Sequence, residues 1–261
     1  MIRMELHTHS TFCDGRDTPE AMARAALEKG INCLGFSPHG YAPYDPECCI
    51  KKEAVPAYRA EILRLREAYR GKLRILIGVE QDCLMGAPEE QYDFVIGSSH
   101  YLLHEGEYLD VDGSVEHFQE AAERCFGGDY YAFARAYFAQ LAAWIPRCKP
   151  DIIGHFDLFA KFNRGGAFFD EDDARYLRAW RPAADRLLAL RKPFEINTGV
   201  ILRGYRDVPY PAPPILAYLQ SRGACFVLSG DAHSTEGIAF QFERWEAYAE
   251  KQGLFLLKNW K

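Results

Sequence analysis

Apolar and polar positions along the 261-residue chain fall into two alternating kinds of run. The first kind is short, continuous and apolar: "MELH", "NCLGFS", "LRILIGVE", "YDFVIGSSH", "PDIIGH", "PFEINTG" and "CFVLSGDAH". Runs of this length and make-up read as strands buried on both faces. The second kind is longer, with apolar residues three or four apart. "TPEAMARAALEKG" predicts a helix with Thr18 as N-cap, Pro19 in the first turn and Gly30 as its stop. "EAVPAYRAEILRLREAYRG" predicts a long amphipathic helix ending at Gly71. Residues 115–145 read as helical with a break near "GGD". Residues 172–191, "PPILAYLQSRG" and residues 236–251 are also helical, and a short "LFLL" closes the chain.

Strand followed by helix, repeated, implies a parallel sheet. The expectation is an α/β fold, a single irregular TIM-like β/α barrel domain over residues 1–261, with an open doubly wound sheet as the alternative. No GxGxxG or Walker A sequence follows any strand, which counts against a nucleotide-binding version of that alternative.

In a β/α barrel the C-terminal strand ends share one face, and active sites are built there. Successive strand ends carry His7 and His9, then His39, then Glu80 and Asp82, then His100, then His155 and Asp157, then Glu195 and Asn197, then Asp231 and His233. Alternation along a strand aims His7 and His9 at the same side. Any one of these histidines alone is more often a satisfied core or surface residue. Six of the eight histidines at strand ends, interleaved with carboxylates, is what that bland account leaves unexplained. Imidazole and carboxylate together suit zinc, iron or manganese. The donors outnumber one tetrahedral site, so two or three divalent ions are expected. Such sites hydrolyse phosphate esters or amides.

A phosphate ester also calls for positive charge beside the metals. "LFAKFNRGG" follows the His155 strand, and Arg164 within it is predicted to grip phosphate with its bidentate fork. Lys161 is expected to be merely solvated, and Arg203 and Arg206 are lesser candidates.

Composition narrows the partners. A hydrophobic content of 48% supports a sizeable core, while a net charge of −6 and a pI near 5.8 argue against nucleic acid held by bulk positive charge. No run is long and apolar enough to span a membrane. The eight cysteines form no CxxC pair, and Arg3 and Glu5 interrupt the short apolar start. The expectation is a cytoplasmic protein with reduced thiols and no signal peptide. Cys13 is expected not to ligate metal, since nitrogen and oxygen donors suffice.

The ordered set "HTHSTFCDG", "FSPHG", "IGVE", "GSSH", "GHFDLFAKFNR", "EINTG" and "SGDAH" resembles the PHP (polymerase and histidinol phosphatase) superfamily of phosphoesterases, and within it the histidinol-phosphate phosphatases. The pieces span residues 5–233. The resemblance implies an irregular barrel, commonly of seven strands, around up to three metals. It implies His7, His9, Glu80 and Asp231 on the first metal. Glu80 would bridge to a second held with His100 and His155, and Asp14, His39 and His233 would hold a third. Many relatives carry histidine at the position of Asp14. The implied reaction is hydrolysis of L-histidinol phosphate to L-histidinol and phosphate. Arg164 would hold the phosphoryl oxygens, and His39 or Asp14 would supply a proton to the leaving oxygen. Tyr41, Tyr44, Glu105 and Asp110 lie in loops suited to the imidazole and amine, although a solvated role is the expectation for each.

Three other readings compete. One is a PHP phosphatase for phosphotyrosine protein or a nucleotide. A second is a metal-dependent amidohydrolase, against which stands the absence of a lysine at any predicted strand end. The third is a non-catalytic metal-binding domain. The expected partner is a small phosphoester, with neither nucleic acid nor membrane involved; the sequence does not give the oligomeric state.

Overall fold

The structure is a computed structural model that describes residues 3–260. Ten strands form. They are β1 (Met4–Glu5), β2 (Cys33–Phe36), β3 (Arg74–Asp82), β4 (Phe94–Ser98), β5 (Tyr101–His104), β6 (Glu107–Asp110), β7 (Ile152–Ile153), β8 (Phe194–Asn197), β9 (Cys225–Ser229) and β10 (Phe255–Leu256). Eight of them make one parallel sheet in the order β1-β2-β3-β4-β7-β8-β9-β10, and β5 and β6 form a separate antiparallel hairpin. The sheet curls. At the C-terminal ends of its strands, a parallel bridge from Thr8 to Ala232 joins the segment after β1 to the segment after β9. The sheet thus has eight strands where seven are expected; the additional one is the two-residue β10, paired to the start of β9.

The helices are α1 (Pro19–Glu28), α2 (Val55–Ala68), α3 (Val115–Phe126), α4 (Tyr130–Trp144), α5 (Ala174–Leu188), α6 (Gly199–Leu202), α7 (Pro213–Ser221) and α8 (Phe242–Gln252). Local signals place several of their ends. Thr18 accepts the Ala21 N–H at 3.3 Å and opens α1, and Gly30 follows its end with φ 74°. The break near "GGD" is Gly127 and Gly128, both at positive φ, with Asp129 capping α4 through the Tyr131 and Ala132 N–H groups. The last helix starts later than its periodicity suggests, because residues 234–241 are turns.

Two layers of apolar packing hold the fold. Outside the sheet, α3, α4 and α5 bring Phe118, Phe133, Phe138, Tyr176 and Trp180 against Phe156 and Phe159. Inside its curl, Met4, Leu6, Leu76, Phe94, Ile152 and Val227 make a floor. Phe94 explains two glycines within strands. A Cβ at Gly35 would lie 2.5 Å from its ring, and one at Gly78 would lie 2.2 Å from it. The neighbouring strands leave those positions empty so that one large ring can fill the interior. Above this floor the strand ends turn polar.

Candidate metal centre

Ladder hydrogen bonds carry the first ligands past the ends of the named strands. The His9 N–H donates to the Ala232 carbonyl, and the Ala232 N–H to the His7 carbonyl, each at 2.9 Å. Glu80 N–H donates to Pro38 O at 3.0 Å, and Gly40 N–H to Glu80 O at 2.7 Å, so His39 and Glu80 sit side by side. Asp231 adopts φ 47°, a left-handed conformation that aspartate tolerates better than most residues.

Glu80 stands at the middle. Its Oε2 lies 2.9 Å from His39 Nδ1, 3.1 Å from His7 Nε2 and 3.5 Å from His9 Nε2. Its Oε1 lies 2.8 Å from His155 Nε2 and 3.3 Å from His100 Nε2. Asp231 Oδ1 is 3.3 Å from His9 Nε2, 3.6 Å from His7 Nε2 and 3.5 Å from His233 Nδ1. Asp14 Oδ2 is 3.1 Å from His233 Nε2 and 3.6 Å from His39 Nε2. All nine residues expected to bind metal therefore surround one small volume.

The chemistry of these donors fits cations. His7 Nε2, His9 Nε2 and Glu80 Oε2 are fully buried and make no hydrogen bond, an arrangement costly without a further partner. Three groups place their donor atoms within 4.8 Å of one another: His7, His9 and Glu80; His39, Glu80 and His100; and His9, Asp14, His39 and His233. Burial disfavours the charged form of both Asp231 and Glu80. At Asp231 this is outweighed by Arg203 and the histidines, and at Glu80 by His7, His39 and His100, so both carboxyls sit well below the usual range. At His9, burial and the neighbouring His233 and His39 push the imidazole down to about 3. At His7, His39 and His100 burial is instead outweighed by the carboxylates beside them, which push all three up, so a cation binding among these groups would displace protons from imidazole.

A second set of residues orients the first. Glu195 Oε1 lies 2.5 Å from His7 Nδ1 and from Ser229 Oγ, and its Oε2 accepts the His155 N–H at 2.8 Å. A carboxylate behind a ligating imidazole fixes its tautomer and orientation. Asp82 plays the corresponding part for His100, accepting its N–H at 3.0 Å while its other oxygen accepts from Tyr44 Oη at 2.9 Å. Arg203 donates to Asp231 Oδ2 at 2.8 Å, which leaves Oδ1 turned to the histidines. Among the expected lesser roles, Glu195 and Asp82 were legible only as polar strand ends, and nothing in spacing distinguishes a ligand from the group behind it.

A cavity of about 570 Å³ opens over the cluster. Arg203 and Lys161 line it; Arg164 does not. The Arg164 guanidinium instead forms a bidentate pair with Asp207, at 3.0 and 2.7 Å, and 57% of its side chain is exposed. A turn at 164–166 with Gly165 and Gly166 both at positive φ carries it away from the strand ends. Of the cations considered from the sequence, Arg203 and Lys161 line the cavity, and Arg164 lies outside its lining. Arg206 is buried with Glu171 and takes no part in the cavity wall. Cys13 Sγ lies 3.5 Å from His9 Nδ1 but belongs to none of the three donor groups.

The model of the PHP domain matches residues 5–199. The "Probable histidinol-phosphatase" of Deinococcus radiodurans is 33% identical over 247 residues, covering 90% of this chain and 88% of the relative. The histidinol-phosphatase of Bacillus subtilis is 25% identical over 264 residues, covering 93% of this chain and 98% of the relative. Among solved structures, hisK of Listeria monocytogenes superposes with a TM-score of 0.83 at 21% identity, over 93% of this chain and all (100%) of that one. The histidinol phosphate phosphatase of Lactococcus lactis, solved with zinc, L-histidinol and phosphate, gives 0.72 at 19% identity, over 98% of this chain and 95% of that one. With its family model matched over most of its length, and a curated relative one-third identical across nine-tenths of it, the chain belongs to the PHP domain family.

Proposed function

We propose that the chain is a single-domain, cytoplasmic PHP phosphomonoesterase, a distorted seven-stranded barrel with β10 as an edge addition, that hydrolyses L-histidinol phosphate to L-histidinol and phosphate. The observation that carries the reading is Glu80. One of its oxygens faces His7, His9 and His39 and the other faces His100 and His155, in a chain one-third identical to a relative named for this activity. His7, His9, Glu80 and Asp231 would hold one ion, Glu80, His100 and His155 a second, and Asp14, His39 and His233 a third. Divalent zinc, iron or manganese there would polarise the phosphoryl group, lower the pKa of water and offset charge developing on oxygen.

The protein's own groups supply the rest. Arg203 holds Asp231 and presents its guanidinium to the cavity, where it meets the phosphoryl oxygens. Asp14 and His39 line the same cavity, and a proton held there reaches the leaving oxygen. His7, His9 and Glu80 are buried, so bulk water does not compete for the donor atoms that would hold the ions.

The test is phosphate release by metal-loaded protein from a panel of phosphomonoesters. L-histidinol phosphate is expected to give the highest kcat/KM, with activity abolished by chelation and restored by metal. A phosphotyrosine peptide or a nucleotide outranking it would assign another substrate to the same centre.

A further inference from the structure

Beside the metal-ligand cluster and the cations Lys161 and Arg203, the cavity is lined by four further carboxylates, Asp45, Glu47, Asp110 and Asp112. Carboxylates beside a phosphate site favour a ligand that also carries a cation. Of the four, Asp112 is the one tied to the cluster. The N–H of Val111 donates to the carbonyl of His100 at 3.1 Å. Asp110 Oδ1 accepts from the N–H groups of Asp112 at 3.1 Å and Gly113 at 2.7 Å. A Cβ on Gly113 would lie 2.0 Å from Asp110 Oδ2, so a larger residue there would displace the Asp110 carboxylate. Lys161 Nζ donates to the Asp112 carbonyl and lies 3.3 Å from its Oδ2. Its other carboxylate oxygen has no hydrogen-bond donor among the described residues, and 22% of the side chain is exposed.

Burial disfavours the ionised form of Asp112, but Lys161 and then His100, His155 and His39 outweigh burial and hold it below the usual carboxylate range. It is therefore an acceptor at neutral pH and not a proton donor. We infer that Asp112 receives the ammonium of a 2-aminoalkyl phosphate, so that an amine beside the ester carbon is what this cavity selects. The inference rests on the phosphomonoesterase reading. In L-histidinol phosphate the ammonium stands on the carbon next to the ester CH2. The group that receives it must therefore stand close to the phosphoryl site. Asp112 does, since it lines one cavity with Glu80, His100, His155 and Asp231, and the N–H of its neighbour Val111 is bonded to the His100 carbonyl. Lys161 on one oxygen fixes the carboxylate and moderates its repulsion of phosphate, while the second oxygen stays available.

The test is calorimetric binding to the metal-loaded protein of two non-hydrolysable phosphonates. One is the methylene isostere of L-histidinol phosphate and the other is its des-amino analogue. Wild type is expected to favour the amine roughly tenfold or more, as a charge-assisted hydrogen bond requires. Asp112→Asn is expected to bring the ratio of the two Kd values to about threefold or less, and Asp112→Glu to restore part of it. An unchanged ratio in Asp112→Asn overturns the inference, even if both ligands weaken, because a structural role moves them together. So does a wild type with no preference, or one that binds neither phosphonate. Failure of the broader reading is a separate result, namely no phosphate release from L-histidinol phosphate by an otherwise ligand-binding protein.

Discussion

The two walls of the cavity are built by different means. The metal-facing wall is made of strand ends. Its side chains hang from parallel ladder bonds, such as His9 N–H to Ala232 O and Glu80 N–H to Pro38 O, and most are buried. The opposite wall is made of loops. Tyr44 stacks on Tyr108 with centroids 4.2 Å apart and meets Tyr101 edge-on at 5.1 Å, packing the loop after β2 against the β5–β6 hairpin. Asp110, Asp112 and Gly113 are set by a local turn. The first wall has donors whose positions the sheet dictates. The second has donors whose positions a few side chains dictate, and a few substitutions can change it without disturbing the first. The chemistry common to a phosphatase family belongs on the first, and discrimination between substrates on the second.

Substitutions in the metal-facing wall should therefore remove metal, and those in the loop wall should alter ligand preference at constant metal content. The largest effect is expected at Glu80. Glu80→Gln leaves a neutral amide where five imidazoles converge. Bound metal measured by elemental analysis should fall, and kcat/KM on L-histidinol phosphate should drop by roughly a thousandfold or more, because several kcal/mol of transition-state stabilisation depend on the metals. Full metal content in Glu80→Gln would break the assignment of this wall.

Glu195 comes next. It touches His7 Nδ1 and the His155 N–H from behind, so Glu195→Gln keeps the shape and loses the charge. Metal affinity measured against a competing chelator should fall by roughly 10–100-fold, the usual cost of losing such a partner. Excess metal should recover most of the kcat. A loss of kcat that metal does not rescue would mean that Glu195 acts on substrate directly.

A smaller effect is expected at a side chain that joins the walls. Tyr44 packs in the aromatic stack and donates to Asp82, which in turn holds His100. Tyr44→Phe keeps the stack and removes one hydrogen bond to a carboxylate, worth about 1.5–3 kcal/mol at most and less in a partly open site, where water can replace it. Metal affinity should weaken by roughly three- to tenfold, with the preference between aminated and amine-free ligands unchanged. A change in that preference without a change in metal would place Tyr44 wholly in the loop wall.

The same division explains what the sequence revealed. Strand runs with a polar residue at the end are a periodic signal, and it located His7, His39, Glu80, His100, His155 and Asp231 because register fixes which side chains reach the rim. The hairpin was not read, although Glu105 and Gly106 form a two-residue turn with φ 49° and 87°, a local signal for such a connection. Asp112 was not singled out, since its importance comes from Lys161, 49 residues away in the chain. Arg203 leaves little signal in the sequence for the same reason: its partner Asp231 is 28 residues on. Long-range pairing between loops leaves no period to detect.

Arg164 supplies the sharpest contrast between order in the chain and place in the fold, with the smallest expected effect. It follows the His155 strand closely, which is the reason to expect it over the metals. In the structure its guanidinium is spent on Asp207 and Gly204, with side-chain exposures of 57% and 72% for the ion pair. An exposed pair of this kind contributes about 0–1 kcal/mol to stability. Arg164→Ala should therefore keep wild-type metal content, lose little thermal stability, and change kcat/KM by less than about threefold. Arg203→Ala should cost far more on the same assay, roughly a hundredfold, since it removes a cavity-lining charge as well as the partner of Asp231. If Arg164→Ala instead loses a hundredfold while Arg203→Ala does not, the Asp207 pair opens when phosphate binds, and the cation that holds phosphate is the one that chain order points to.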